Sequence, residues 1–297
     1  MKTIAQAIVT NAAGMLKTLE QARALLQSAV TRITIGSVTM LPRTGNQGVT
    51  YFYDSTTGTA WNSKGLDNLG IEELMTWLPD FYLEAKAAGK EVAVSLAGFT
   101  PQEYAFMAQR VQKYCDIIEV NAGCGNVWRN NEQKMPPSYS PDLLNDVLSR
   151  VETALGFREM VSVKISPVED ELIPRLAGVI EEWSSVVEII GTNTMINQKP
   201  LPFLGKERLE WREDDDAEWK HTGGMSGAGL RPDSLRVFAQ MRPLVRHLRY
   251  IYCGGVSAGQ HLIHALEHGA DGIAVGTAYF EEGPRIFSDI YEEALEA

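Results

Sequence analysis

Short β-branched runs recur along the chain: Ile4–Thr10, Thr31–Ile35, Glu91–Leu96, Asp116–Val120, Met160–Ile165, Val186–Ile190, Leu248–Cys253 and Gly272–Val275. Between most of them lie stretches whose apolar residues fall at helical spacing. Thr100-Pro101 and Ser140-Pro141 each read as an N-cap followed by proline at the first helical position. The segments that follow, Tyr104-Ala-Phe-Met-Ala-Gln-Arg-Val and Leu143-Leu-Asn-Asp-Val-Leu-Ser-Arg-Val, carry helical faces rather than strand alternation. Strands that alternate with helices imply a parallel sheet. Eight such units predict closure into an α/β fold of the (β/α)8 TIM-barrel type, with inserted loops on the carboxyl-end face. Two irregular regions supply those loops: Thr39 to Leu69, rich in Gly, Asn and Thr, and Lys199 to His221, which carries Arg212-Glu-Asp-Asp-Asp216. No linker, low-complexity tail or second domain stands out, so residues 1–297 read as one barrel domain.

A length of 297 residues is within the range of a single α/β barrel, and 44% hydrophobic residues can fill its core. The formal charge of −11 argues against nucleic acid or an anionic membrane as partner, since both call for basic surface. Cys115, Cys124 and Cys253 form no C-x-x-C pair, so neither a disulfide framework nor a thiolate zinc site is expected. His261, His264 and His268 share helical spacing, but no carboxylate or cysteine motif completes a metal site with them. The start, Met1-Lys-Thr-Ile-Ala, lacks the apolar core of a signal peptide, and no apolar stretch approaches the roughly 18 residues that span a bilayer. A soluble, cytoplasmic protein is the expectation.

The run Glu119-Val-Asn121-Ala-Gly-Cys124-Gly-Asn126 sits where a buried strand gives way to a loop. Strand ends are where barrel enzymes place their chemistry. There Cys124 reads as a proton-abstracting thiol beside amides that could hold a carbonyl-rich ring, or as a small buried filler. Cys253-Gly254-Gly255-Val-Ser-Ala-Gly259 and Val275-Gly276-Thr277-Ala278 end the last two strands. Barrels often hold a phosphate between these two loops on bare backbone N–H groups, to which Thr277 could add a hydroxyl. Gly223-Gly224-Met-Ser226-Gly227 reads as a third turn able to close that cradle. The alternative is that each turn merely needs residues with positive φ. No G-x-x-x-x-G-K-[ST] loop occurs, so ATP or GTP chemistry is not expected. Lys164, in Val161-Ser-Val-Lys164-Ile-Ser166, falls at an inward or end position of its strand. Inside a barrel it needs an anionic partner, which a cofactor ring or phosphate could supply; at a frayed strand end it would be a surface lysine.

Several motifs in order resemble those of class 1 dihydroorotate dehydrogenases, and most closely the fumarate-using subgroup. Asn11-Ala-Ala13-Gly14-Met-Leu resembles the family's N-A-[AS]-G-V turn, and Ser37-Val-Thr39 with Arg43-Thr-Gly45-Asn46 resembles K-S-x-T followed by R-x-G-N. Asn62-Ser63-Lys64-Gly65-Leu66-Asp-Asn68-Leu-Gly70 resembles N-S-M-G-L-P-N-x-G, and Val120-Asn121-Ala-Gly-Cys124-Gly-Asn126 resembles L-N-L-S-C-P-N. Gly223 to Gly227 resembles G-G-L-S-G, and Gly254-Gly255, Gly276-Thr277-Ala278 and Glu282-Gly283-Pro284 resemble the terminal G-G-[IV], G-T-A and E-G-P.

The resemblance implies a soluble FMN enzyme of pyrimidine synthesis that oxidises dihydroorotate, with fumarate as electron acceptor and a homodimeric assembly. FMN would lie over the barrel mouth on the turn at Ala13-Gly14 and near Ser37. Its phosphate would sit at Gly227, Gly254-Gly255 and Gly276-Thr277, and Lys164 would face its pyrimidine edge. Asn62, Asn121, Asn126 and Asn193, with Thr194, would surround the substrate ring, since amides both donate and accept. Backbone N–H groups of Lys64-Gly65-Leu66 would receive its carboxylate, and Cys124 would be the base. An unperturbed thiol titrates near 8.5, so activity should rise with pH.

The chain departs from the family pattern around the pocket. Gly36 stands where the family usually has lysine, and Lys64 or Lys17 is the candidate to replace that charge. Gly125 replaces the proline after the base, which predicts a looser loop, and the segment Asn126 to Lys134 is unlike the family's V-P-G-K-P-Q. Two further readings therefore stand beside dihydroorotate oxidation: an FMN oxidoreductase of the same family acting on another cyclic or unsaturated substrate, and a non-redox phosphate-binding barrel.

Overall fold

Runs such as Val161–Ile165 and Gly272–Val275 are buried at every residue, which is what a strand with core on one face and helices on the other requires. A computed structural model describes residues 2–47, 50–129, 132–198 and 223–297. Its strands in chain order are β1 (Ile8–Asn11), β2 (Arg32–Val38), β3 (Tyr51–Asp54), β4 (Thr59–Asn62), β5 (Glu91–Leu96), β6 (Ile117–Asn121), β7 (Trp128–Arg129), β8 (Glu132–Gln133), β9 (Val161–Ile165), β10 (Val186–Gly191), β11 (Met195–Gln198), β12 (Gly223–Gly227), β13 (Arg249–Cys253) and β14 (Gly272–Val275). Eight close a parallel barrel in the order β1-β14-β13-β10-β9-β6-β5-β2, with Thr10 beside Arg32 joining the ends. The described helices are α1 (Leu19–Ala24), α2 (Gly70–Ala87), α3 (Pro101–Val111), α4 (Pro141–Leu155), α5 (Ile173–Glu181), α6 (Arg231–Met241), α7 (Gly259–Glu267), α8 (Thr277–Glu282) and α9 (Arg285–Glu296).

The expected helix starts are present. The Thr100 hydroxyl accepts from the Glu103 N–H at 3.2 Å, and that of Ser140 accepts from the Leu143 N–H at 3.4 Å. Each cap satisfies a donor that the first turn leaves orphaned, and proline follows where no N–H is needed. Helix faces then bury Tyr104, Met107 and Val111 from α3, and Leu144, Val147 and Val151 from α4.

Two expectations need correction. The first strand covers Ile8–Asn11, and Ile4–Gln6 forms a single 3-10 turn whose Thr3 and Gln6 cap each other. Gly223–Gly227 is a strand rather than a turn: it pairs antiparallel with β4, Gly224 against Asn62 and Gly227 against Thr59. Together β11, β12, β4 and β3 make a four-stranded antiparallel sheet beside the barrel's carboxyl-end face. The region Thr39 to Leu69, read as irregular, thus supplies the hairpin of β3 and β4. The acidic run at 212–216 and the region Lys199 to His221 lie outside the described residues.

The amino ends of the strands close over charge. Arg32, 1% exposed, donates from Nη1 to Glu188 Oε1 at 2.7 Å and from Nε to Glu91 Oε2 at 3.0 Å. Arg249 Nε adds a second cation 3.3 Å from Glu188 Oε2. Burial alone would depress the Arg32 guanidinium, but Glu188 and Glu91 outweigh it and raise its pKa.

Candidate active site

Side chains at the carboxyl ends of the strands, together with β3, β4 and β12, enclose a cavity of about 340 Å³. Every residue expected from sequence to bind or react lies along it. From β6 and its loop come Asn121, Cys124 and Asn126; from β4 and the turn after it come Asn62, Lys64, Gly65 and Leu66. The end of β10 contributes Asn193 and Thr194, and β9 contributes Lys164. Ala13 and Gly14 follow β1, Ser37 lies in β2, and Gly227 ends β12. Gly254 and Gly255 follow β13, and Gly276 and Thr277 follow β14.

The asparagines are held in two pairs. Asn193 Nδ2 donates to Asn121 Oδ1 at 3.0 Å, and Asn121 Nδ2 donates to Ser37 Oγ at 2.7 Å. The Gly123 N–H also donates to Asn121 Oδ1 at 3.1 Å, so that oxygen is filled and its orientation is fixed by backbone. Opposite them, Asn126 Nδ2 donates to the Asn62 carbonyl at 2.9 Å, and Asn62 Nδ2 donates to the Gly224 carbonyl at 3.4 Å. Asn193 keeps one N–H and Asn126 its side-chain oxygen for a ligand, so the walls offer both donors and acceptors.

The loop that carries Cys124 is clasped, contrary to the looseness that Gly125 suggested. Ser138 Oγ donates to the Ala122 carbonyl at 2.8 Å, Ser166 Oγ to that of Gly123 at 3.1 Å, and Gln133 Nε2 to that of Gly125 at 2.7 Å. A Cβ at position 125 would come within 2.6 Å of Ile196 Cγ2, so the absence of a side chain lets β11 close on the loop. Burial pushes the Cys124 thiol up; the Asn126 N–H and the charges of Lys134, Lys164 and Arg43 pull against it.

At the turn Lys64-Gly65-Leu66, Leu66 is held at φ 58°, a left-handed conformation that costs a non-glycine residue roughly 1–2 kcal/mol. Asn68 Nδ2 donates to the Leu66 carbonyl at 2.7 Å, and Arg43 Nε to that of Gly65 at 3.1 Å, which stabilises the turn. Lys64 Nζ lies 4.2 Å from the Phe280 ring centroid and 5.5 Å from that of Tyr51. Burial, followed by Lys17, lowers its pKa, while Asp67 opposes them. Lys17 is ion-paired with Asp67 Oδ2 at 2.5 Å.

The glycine turns approach one another closely. Gly255 has φ +79°, and a Cβ there would lie 2.8 Å from the Gly227 carbonyl, so only glycine brings these turns together. Arg231 Nε and Nη2 both donate to the Gly255 carbonyl, at 3.1 and 2.7 Å. Thr277 Oγ1 donates to Ser226 Oγ at 2.9 Å. Sequence reading missed Arg231, Thr192 and the aromatic wall of Tyr51, Tyr53 and Phe280. Arg231 follows the Gly227 motif closely enough to have been suspected; the rest carry no local signal.

The family model for dihydroorotate dehydrogenase matches residues 4–297. The chain belongs to that family. Its relatives include a protein named putative dihydroorotate dehydrogenase A (fumarate) from Pediococcus pentosaceus, 28% identical over 269 residues, covering 89% of this chain and 81% of that one. The catalytic subunit named dihydroorotate dehydrogenase B (NAD(+)) from Bacillus cereus is 28% identical over 274 residues, covering 90% of this chain and 79% of that one. The ligand-free Eimeria tenella enzyme superposes with a TM-score of 0.80 at 20% identity, covering 97% of this chain and 83% of that one, a likeness of fold. Its complex with ferulenol gives 0.79 at 20% identity, with 97% and 80% coverage. The family is one of flavin-dependent oxidoreductases acting on CH–CH bonds. No helix among the described residues is long and apolar enough to cross a membrane.

Proposed function

We propose that this dihydroorotate dehydrogenase family member oxidises dihydroorotate to orotate, with FMN as its resident cofactor and Cys124 as its base. The observation that carries this reading is that Cys124, both asparagine pairs and the glycine turns line one cavity.

The residues present fit FMN. Gly227, Gly254, Gly255, Gly276 and Thr277 would hold the phosphate, and Ala13, Gly14 and Ser37 would lie along the ring. Lys164 is 3% exposed and has no carboxylate partner among the described residues, and the buried Thr192 hydroxyl has no partner either. A bound anion with several acceptor atoms would satisfy both. When bound, FMN supplies the acceptor for the hydride that leaves the ring carbon next to the one deprotonated.

The chain's own part is to bind, orient and take the proton. The backbone N–H groups of Lys64, Gly65 and Leu66 would receive the substrate carboxylate. The asparagine pairs would match the alternating N–H and C=O groups of a cyclic ureide. Cys124 Sγ, as thiolate, removes the proton from the ring carbon beside a carbonyl. Because burial raises the thiol, the thiolate is scarce at neutral pH and the rate should climb as pH rises. The fumarate-linked relative supports fumarate as the oxidant that regenerates the enzyme. A cytoplasmic homodimer with one domain over residues 1–297 completes the proposal.

Gly36 favours a second reading, in which the same machinery handles a different cyclic or unsaturated substrate. Gly36 has φ +97°, and a Cβ there would meet the Ser95 carbonyl at 2.6 Å and the Val38 nitrogen at 2.8 Å. The family lysine thus has no room on this backbone. Lys64, whose ammonium has no ion-pair partner among the described residues, is better placed to replace it than Lys17, which Asp67 already engages. Lys64→Ala should weaken substrate binding while Lys17→Ala should not; equal, unchanged affinities would end that substitution argument.

An anaerobic visible spectrum taken before and after dihydroorotate addition tests the main reading. A flavin spectrum that bleaches supports it. A flavin that stays oxidised favours the second reading, and a colourless protein overturns the cofactor assignment.

A further inference from the structure

We propose that Lys134 is a positioning residue for the Cys124 thiolate: the strand pair β7 and β8 brings its backbone against the cysteine loop and lays its ammonium on the neighbouring wall of Gly98, Phe99 and Tyr104. This inference rests on Cys124 being the base of the proposed reaction. Lys134 stands ten residues beyond Cys124 in sequence. Its backbone N–H donates to the Val127 carbonyl at 2.8 Å, and the neighbouring Gln133 side chain clasps Gly125. The segment is thus tied to the cysteine loop on both sides of Asn126. The Lys134 ammonium donates to the Gly98 carbonyl and lies 4.7 Å from the Phe99 ring centroid and 5.9 Å from that of Tyr104. The Tyr104 hydroxyl in turn donates to the Asn121 carbonyl at 2.9 Å, so this wall is continuous with the strand end that starts the loop.

The charges around Cys124 are one-sided. Lys134 approaches from the β8 side, Lys164 from β9, and Arg43, 4.9 Å from the Phe99 centroid, from the loop after β2. On α3, the Tyr104 phenol is pushed up first by burial and then by Cys124, and it stays neutral. Glu103, also on α3, is the carboxylate facing Lys134, and its Oε2 already accepts from the Phe99 N–H at 2.6 Å. Burial pulls Lys134 down to about 8, and Cys124 and Glu103 pull it back up. At neutral pH, below the Lys134 value, a thiolate formed at Cys124 therefore meets an ammonium that no carboxylate neutralises within ion-pair distance among the described residues. Opposite charge at close range lowers a thiol's pKa and raises its thiolate fraction.

The test is the pH dependence of Cys124 alkylation by iodoacetamide in the purified, flavin-loaded protein, read by peptide mass spectrometry. Wild type is compared with Lys134→Met, Lys134→Gln and Lys134→Arg. The neutral variants should move the titration to higher pH and slow alkylation at pH 7 about three- to tenfold, a shift of about half to one pKa unit. Lys134→Arg should restore most of the wild-type rate. The plateau rate at alkaline pH, where the thiolate is fully formed, reads access to the sulfur separately from its pKa. An unmoved titration in both neutral variants, or an arginine variant that behaves like methionine, overturns the proposal. Alkylation needs no substrate. If dihydroorotate fails to bleach the flavin but the titration shifts, the substrate assignment falls and the role of Lys134 stands.

Discussion

At the amino ends of the barrel strands, Arg32 is 1% exposed and lies between Glu188 and Glu91, with Arg249 on the far side of Glu188. At the carboxyl ends, Lys164 is 3% exposed and has no carboxylate within ion-pair distance among the described residues; neither has Lys64 or Lys134. The same barrel thus buries positive charge in two ways. At the floor the charge is matched inside the protein, and its work is finished when the chain folds. At the mouth it is left for something else to match. An uncompensated buried ammonium is costly, so the mouth gives up stability for a ligand, whereas the floor does not.

The comparison is broken most directly at the reacting atom. Cys124→Ala should cut turnover by about 10²- to 10⁴-fold, the usual contribution of a positioned base, while flavin content and the thermal midpoint stay near wild type. Steady-state rates with the flavin absorbance as internal standard would show it, and a loss below tenfold would place the base elsewhere. Arg32→Met is the counterpart at the floor. It leaves Glu188 buried with only Arg249 nearby, and should lower unfolding free energy by about 3–5 kcal/mol in urea titration. Activity per folded, flavin-loaded molecule should not move.

Both ends differ also in how well the sequence announced them. The strand runs and the two Thr-Pro and Ser-Pro helix starts come from local pattern, and the barrel and its helix caps follow from it. Cys124, the asparagines and the glycine turns were legible because each sits at a strand end in a recognisable motif, and closure of the barrel gathers strand ends on one rim. What pattern could not give was pairing between distant segments. Gly223–Gly227 looked like a turn because glycine is the usual turn residue, but its register against Thr59–Asn62 makes it a strand. Gly125 looked like a loosened loop until Ile196 and Gln133 closed on it. Lys134 and the Arg32–Glu188 bridge, between residues 156 apart, carry no sequence mark, since nothing local says which charges will meet.

Lys164→Met sharpens the contrast with a smaller effect. A charge-assisted hydrogen bond is worth about 1.5–3 kcal/mol, so flavin affinity should fall roughly ten- to a hundredfold, measured by fluorescence as flavin dissociates. The flavin-free variant should be at least as stable as flavin-free wild type, because the unpaired ammonium is gone. A flavin-free variant that unfolds more easily would mean that Lys164 is a structural charge like Arg32, and the distinction between the two ends would fail.

The smallest effect is in pH. Arg32 is raised by its carboxylates and stays charged over any working range, so the floor contributes no titration. Lys134 is depressed to about 8 by burial, below the value near 10.4 of an unfolded lysine. Between those values the unfolded chain holds the extra proton, so Lys134 makes stability rise with pH through that window and weakens the fold below it. Against Lys134→Met, flavin-free wild type should therefore gain about 1–2 kcal/mol from pH 8 to pH 10. The difference between the two urea titration curves, rather than either alone, isolates the lysine from the titratable groups that both chains share. A flat difference would mean that Lys134 is solvated like a surface lysine, and would remove one of the three cations from the unmatched set at the mouth.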